Sequence, residues 1–266
     1  MKYLTNAVNF SIKNWMLILP VFVLSAIVNL ISNAATPSLS TITALMNPNN
    51  ITDPTALFSS VTSLMGAAAG AGIIAFIATL IYSPATYGLV NKGLETGSAG
   101  MNDLGSAISS NFAKFIMYVV GMIVLILGLS IAFFIVVFLL GLLLGLLGTF
   151  GNVLMVIIML AIGVFFIALA VLLSMWFAAM VVDGLSVVDA AKKSIDVVKG
   201  CFWTVLGITV LVSILFGIAG FILGLLRVIP LLGPIIYSAA PAAQYFVMAV
   251  FVLMVYRDRT GRASAV

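Results

Sequence analysis

Residues 118–145 read YVVGMIVLILGLSIAFFIVVFLLGLLLG, and this stretch decides the fold. It holds no charge and no proline, and its apolar residues run on without alternating. A membrane β-strand would instead alternate apolar and polar residues over about ten positions. In lipid every backbone N–H and C=O must pair internally, so the choice lies between helices and a closed barrel. An uninterrupted apolar run longer than the roughly 20 residues that cross a 30 Å hydrocarbon core selects the helix.

The rest of the chain has the same character. Of 266 residues, 64% are hydrophobic and only 7% charged, with a mean hydropathy of +1.34. A soluble domain carries about 25% charged residues, so this chain does not cover a water-facing surface. Spans are expected near 15–35, 60–90, 113–147, 152–182, 203–226 and 235–256. The third and fourth exceed a straight crossing and must tilt, kink or project. The tight link between them is Gly148 to Asn152. Residues 36–59, with the run NPNNITDP, read as an outer loop. They contain the sequon Asn50-Ile51-Thr52, a short motif that arises readily by chance. Ser32-Asn33-Ala34 resembles a signal-peptide cleavage site, but the apolar core before it is longer than such peptides use.

An even number of spans places both termini on one side. Lys2, Lys13, Lys92, Lys114, Lys192, Lys193, Lys199, Arg257, Arg259 and Arg262 fall on that side, and Arg227 on the other. Asp53 is the acid expected opposite. Positive residues accumulate on the cytoplasmic face, so both termini are expected in the cytoplasm, in the inner membrane of a prokaryote. The net charge of +4 borders apolar spans and forms no basic stripe. It therefore speaks for anionic lipid headgroups and against nucleic acid.

Three segments preceding spans one, three and five resemble each other: KYLTNAVNFSIKNW, MNDLGSAISSNFAKF and DGLSVVDAAKKSIDVVKGCFW. Each places an Ala, then Ser or Asn four residues on, then an aromatic: Ala7, Ser11 and Trp15; Ala107, Asn111 and Phe115; Ala190, Ser194 and Phe202. The expected architecture is all-α and polytopic: one domain of three repeats, near 1–95, 96–182 and 183–266. Each repeat is an interfacial amphipathic helix followed by a helical hairpin.

The third segment is the most charged. Ser186 and Asp189 form an S-x-x-D capping box, and Gly200 ends the run. Val187, Ala190, Ala191, Ile195 and Val198 share one face at helical spacing. Asp189, Lys192, Lys193, Asp196 and Lys199 share the other, with Asp189–Lys193 and Lys192–Asp196 at i,i+4 spacing. Such a helix is too short and too charged to span, so it should lie at the interface. Its charged face is either simply solvated or holds a lipid headgroup or a cytoplasmic protein partner.

Inside the membrane, Gly66–Gly70, Gly141–Gly145 and Gly220–Gly224 are GxxxG patterns, expected to pack helices within the chain. Span two ends IYSPATYG and span six contains IYSAAPAAQYF. Pro84 and Pro241 are expected to kink their helices, and Pro20 to kink span one. Tyr82, Pro84, Tyr87, Tyr237, Pro241, Gln244 and Tyr245 are candidates to line a cavity there; interhelical hydrogen bonding with aromatic packing is the competing account. No ionisable residue falls mid-span, which argues against ion-coupled transport. Arg227 is expected to snorkel.

Catalytic chemistry finds few materials. The chain has no histidine and one cysteine, Cys201. A Ser-His-Asp triad is therefore impossible, zinc loses its commonest ligand, and no P-loop motif occurs. No enzyme, metal or cofactor is expected.

Residues 181–208, VVDGLSVVDAAKKSIDVVKGCFWTVLGI, carry an Asp-Gly, then Ala and Ser at helical spacing, then an aromatic entry into a span. This resembles a broad family of poorly characterised six-span proteins related to the membrane domain that accompanies glycerophosphodiester phosphodiesterases. The resemblance implies the six-span topology and an association with lipid metabolism. It does not imply phosphodiester hydrolysis, which needs histidines. The expected function is non-enzymatic binding or passage of lipid-like or amphipathic molecules. The alternatives are a scaffold that docks a partner through residues 183–199, and an uncoupled channel or facilitator.

Overall fold

The computed structural model describes residues 2–34, 54–262 and 264. Its helices are α1 (Lys2–Lys13), α2 (Leu19–Ala34), α3 (Pro54–Thr96), α4 (Leu104–Gly145), α5 (Gly148–Leu172), α6 (Trp176–Asp183), α7 (Val187–Lys199), α8 (Phe202–Gly224), α9 (Leu232–Tyr237) and α10 (Ala239–Arg259). Short 3-10 turns occupy Trp15–Ile18, Met101–Asp103 and Leu225–Val228. Six helical segments are long and apolar enough to cross a membrane: Trp15–Asn33, Ala69–Thr96, Met101–Gly145, Gly148–Asp183, Phe202–Val228 and Leu232–Arg259. The chain is an all-α polytopic membrane protein. The sequon at 50–52 and Asp53 lie outside the described residues.

The two overlong spans take different solutions. Span four breaks at Leu173–Met175, between α5 and α6. Ser194 of α7 seals that break: its hydroxyl donates to the Leu172 carbonyl at 2.7 Å and accepts from the Met175 N–H at 3.1 Å. Span three does not break. α4 is 42 residues long, about 63 Å at 1.5 Å per residue.

That continuity corrects one expectation. The segment from Met101 to Phe115 is not a separate interfacial helix; from Leu104 it is the first part of α4. Nothing between Ser106 and Tyr118 breaks a helix, whereas Asn14 leaves helical geometry after α1 (φ −112°, ψ 37°) and Gly200 follows α7. α1 packs on α10, the start of α4 packs on α3, and α7 packs on α6.

The prolines occupy two kinds of position: Pro84 lies inside a helix, where a proline kinks, and Pro20 and Pro241 do not. α3 runs through Pro84 without interruption. Pro20 and Pro241 each sit in the first turn of a helix, where the missing N–H has no partner to lose. In span six the interruption falls at Ser238. Asn29 of α2 donates to the Ser238 hydroxyl at 3.1 Å, and that hydroxyl donates to the Pro234 carbonyl at 2.7 Å.

The GxxxG patterns mostly do not pack helices. A Cβ added at Gly66, Gly70, Gly141 or Gly145 meets nothing within 4 Å, and only Gly220 and Gly224 have neighbours, at 3.8–3.9 Å. Close approaches lie instead at Gly88, where a Cβ would stand 2.8 Å from the Ala107 Cβ and 2.7 Å from the Asn111 side chain, and at Gly121, where it would stand 2.5 Å from the Val187 side chain.

α10 is the central strut. Phe246, Val250, Phe251, Leu253, Val255 and Tyr256 are fully buried in it. A second cluster of rings sits where α3, α4 and α6 meet: Phe177 contacts Tyr87, Phe115 and Tyr118 at ring centroid distances of 4.7, 5.0 and 5.4 Å. The distal α4–α5 hairpin lies at the periphery, with Ile131, Phe134, Leu143, Leu160 and Val164 exposed. In lipid that exposure has no hydrophobic penalty.

Candidate functional site

The bundle has two chemically different ends. The end that carries α1, α7 and the last turn of α10 gathers the polar contacts. Asp183, at the end of α6, accepts from the Tyr256 hydroxyl at 2.5 Å and from the Arg262 guanidinium at 2.7 Å. Arg257, almost fully buried, donates to the Asn91 side-chain oxygen at 2.9 Å and stands 4.0 Å from Glu95. Lys92 pairs with Asp103 at 2.6 Å. Tyr3 of α1 donates to Asp258 of α10. That hydrogen bond raises the Tyr3 phenol above its ordinary value near 10.0, with burial and the Asp258 charge adding to it. This cap binds the ends of α1, α3, α6 and α10 together. Sequence reasoning missed it, because its pairs other than Lys92–Asp103 lie 73 to 255 residues apart.

The α7 face is presented as expected. Asp189, Lys192, Lys193, Asp196 and Lys199 are all exposed. Ser186 caps the helix, its hydroxyl accepting from the Asp189 N–H at 3.3 Å and donating to the Asp189 carboxylate at 2.6 Å. The i,i+4 ion pairs do not form: Asp189 turns to its cap instead. The underside buries Ala190, Ser194 and Val198. Val187, Ala191 and Ile195 are half-buried beside them. Cys201 just beyond is buried, which pushes its thiol up. Burial is the opposite of the electropositive, accessible setting that activates a thiol.

Cavities of about 460 and 280 Å³ lie at the polar end, the first beside Tyr3, Asp258 and Arg262 and the second beside Asn91, Lys92 and Asp103; two further clefts lie toward the opposite end. One, of about 600 Å³, lies between α8 and the α9–α10 pair; Arg227, Tyr237, Pro241 and Gln244 line it with the glycines 217, 220 and 224. A second, of about 380 Å³, lies between α2, α3 and α10, lined by Ser25, Tyr82, Pro241, Gln244 and Tyr245. Pro241 and Gln244 belong to both. Gln244 reaches Ser213 of α8 at 3.5 Å. Tyr245 donates to Ser83 at 2.7 Å, and its ring meets Tyr82 edge-on at 5.1 Å.

Of the seven candidate cavity residues, the fold thus gathers Tyr82, Tyr237, Pro241, Gln244 and Tyr245. It does not bring Pro84 or Tyr87 to either cleft. Pro84 is buried within α3. Tyr87 is turned a helical face away, into the Phe177 ring cluster. Arg227 and Ser25 are polar lining residues that sequence reasoning did not assign to the clefts. Among the described residues no group of His, Cys, Asp and Glu is arranged to hold a metal ion.

Comparison of the chain with protein-family models, with curated proteins and with solved structures finds no match in any of the three.

Proposed function

We propose that this integral membrane protein binds or passes lipid-like or amphipathic molecules, without catalysis, through the two clefts that adjoin at Pro241 and Gln244. The observation that carries the reading is the placement of those clefts. Two openings, in volume about 600 and 380 Å³, flank one helix start and share one carboxamide. Volumes of this order suit ligands, and an apolar lining with a few polar groups is the usual make-up of a ligand site. Span six is interrupted beside them, and interrupted helices at membrane depth characteristically border binding sites. The resemblance of residues 181–208 to the phosphodiesterase-associated six-span family adds an association with lipid metabolism to the same proposal. In this reading both termini, α1 and α7 face the cytoplasm of a prokaryotic cell.

A second reading is favoured by one observation: all five charges on the outer face of α7 are exposed, and none is engaged in an ion pair. It makes the protein a scaffold that docks a cytoplasmic partner there.

Native mass spectrometry of the full chain, extracted from its own membrane and then delipidated, tests the first reading. The expected result is a defined lipid or amphipathic adduct on the wild type that is lost in Gln244→Leu. A bare protein under the same conditions would sink it. Charge reversal at Lys192 and Lys193 should leave that adduct in place; a partner lost instead would favour the scaffold.

A further inference from the structure

Arg227 is a cation on the end of the bundle that otherwise carries no described charge. It sits in the turn Leu225–Val228 and forms one wall of the larger cleft. Its guanidinium carbon lies 4.5 Å from the centre of the Tyr237 ring. A ring face takes up part of the positive charge but accepts none of the in-plane N–H groups. Its Nε is buried and has no hydrogen-bond partner, and among the described residues no carboxylate lies within ion-pair distance. An arginine that merely snorkelled would turn its donors to water. This one is half-buried, with its Nε out of reach of water and its guanidinium over the Tyr237 ring in the cleft wall. A buried donor left unpaired costs about 1–3 kcal/mol, more for a charged group.

The floor of the same cleft is built for a chain. Gly217, Gly220 and Gly224 lie on one stripe of α8. A Cβ at Gly217 would meet nothing within 4 Å; at Gly220 and Gly224 it would only reach Ala240 and Tyr237 of the facing wall, at 3.9 and 3.8 Å. The glycines therefore leave an open trough and are not seats for close helix packing. From Arg227 to Gly217 is ten residues, about 15 Å along a helix. Half of a 30 Å hydrocarbon core is also about 15 Å. The trough reaches from the interface to mid-membrane, and Gln244 lines it.

We propose that this cleft binds an anionic phospholipid from the surrounding leaflet, its phosphate on Arg227 and one acyl chain along Gly224, Gly220 and Gly217. The phosphate oxygens accept from the guanidinium, which arginine offers in a planar, bidentate fork. The proposal rests on the cleft reading above and adds the headgroup charge and the leaflet from which the ligand comes.

The test uses the full chain in nanodiscs of equal parts phosphatidylglycerol and phosphatidylcholine, followed by delipidation and native mass spectrometry. Wild type should retain phosphatidylglycerol in preference to phosphatidylcholine. Arg227→Gln should lower that preference roughly tenfold, the scale of one lost charge-assisted hydrogen bond. Arg227→Lys should keep most of it. Gly217→Leu, whose Cβ has open space around it and whose side chain enters the trough, should release both lipids. An adduct with the mass of a free fatty acid, or equal preference in wild type and Arg227→Gln, would overturn this inference and leave the cleft reading standing. Wild type that retains neither lipid would overturn both.

Discussion

The Tyr256 hydroxyl, buried at the end of the last helix, donates to the Asp183 carboxylate at 2.5 Å. The two residues are 73 positions apart and close span four onto span six. A hydrogen bond to a charged acceptor contributes about 1.5–3 kcal/mol.

Tyr256→Phe should therefore lower stability by roughly 1–3 kcal/mol, read as a lower thermal midpoint in detergent. Asp183→Ala should cost at least as much, because it strands the buried hydroxyl. Arg262, half-exposed at 2.7 Å from the same carboxylate, should matter little: an exposed ion pair contributes about 0–1 kcal/mol. If Arg262→Ala proved the most damaging of the three, the Tyr256–Asp183 contact would not be the closure we describe.

Gly88→Ala should destabilise by about 1–3 kcal/mol, the usual cost of forcing a methyl into a packed contact. The added Cβ would stand 2.8 Å from the Ala107 Cβ and 3.0 Å from the Ala107 Cα, and backbone does not give way easily. Gly141→Ala has open space around it and gains helix propensity, so it should be neutral or slightly stabilising. A thermal-shift comparison of the two variants decides the matter; equal midpoints would contradict the contact at Gly88.

How far the sequence was legible follows from such pairs. The six spans were readable because apolar length is a local property, and the outward charge of α7 because a helical face is too. The contact of Gly88 with Ala107 was not. GxxxG spacing counts small residues along one helix, and cannot say which of them faces another. Tyr87 shows the same limit at the cleft. It stands five residues after Tyr82, so the two rings point to different sides of α3 and only Tyr82 reaches Tyr245. The Asp183 cap was invisible because each partner is an ordinary polar or charged side chain near a helix end until the ends are brought together. The continuous start of α4 differs from its two sister segments because it has no breaker between Ser106 and Tyr118, a difference that the shared Ala, Ser or Asn and aromatic pattern does not carry.

The Tyr3–Asp258 bond should make the seating of α1 sensitive to alkali. The phenol is raised above its ordinary 10.0. A raised acid is stabilised in its neutral form, so the contribution is complete below pH 10 and disappears as pH climbs through the raised value. Spin labels at Asn6 and Ser264, which line one cavity of about 460 Å³, report it in a Cys201→Ala background. Their coupling should weaken above pH 10 in the protein with Tyr3. In Tyr3→Phe it should be independent of pH.

Cys201 should resist alkylation. Its thiol is buried and pushed up by that burial, so little thiolate forms at pH 8. A maleimide should label the folded protein at least tenfold more slowly than the protein unfolded in dodecyl sulfate, an order-of-magnitude expectation from thiolate access. Equal rates would mean that the junction of α7 and α8 is open.

The central position of α10 has a consequence for how the protein is made. The ribosome adds roughly 5–20 residues per second from the N-terminus, so the helix that most of the bundle packs against appears after the other described helices. Ala7 and Phe10 of α1 and the Tyr3 hydroxyl emerge first, yet the helix that seats α1 is synthesised more than two hundred residues later. Five spans must therefore wait in the bilayer with their inner faces against lipid or an insertion chaperone. Completion of the final helix then turns a loose set of inserted segments into one folded body, so a nonsense codon just before α10 should leave every earlier span inserted but none of them properly assembled.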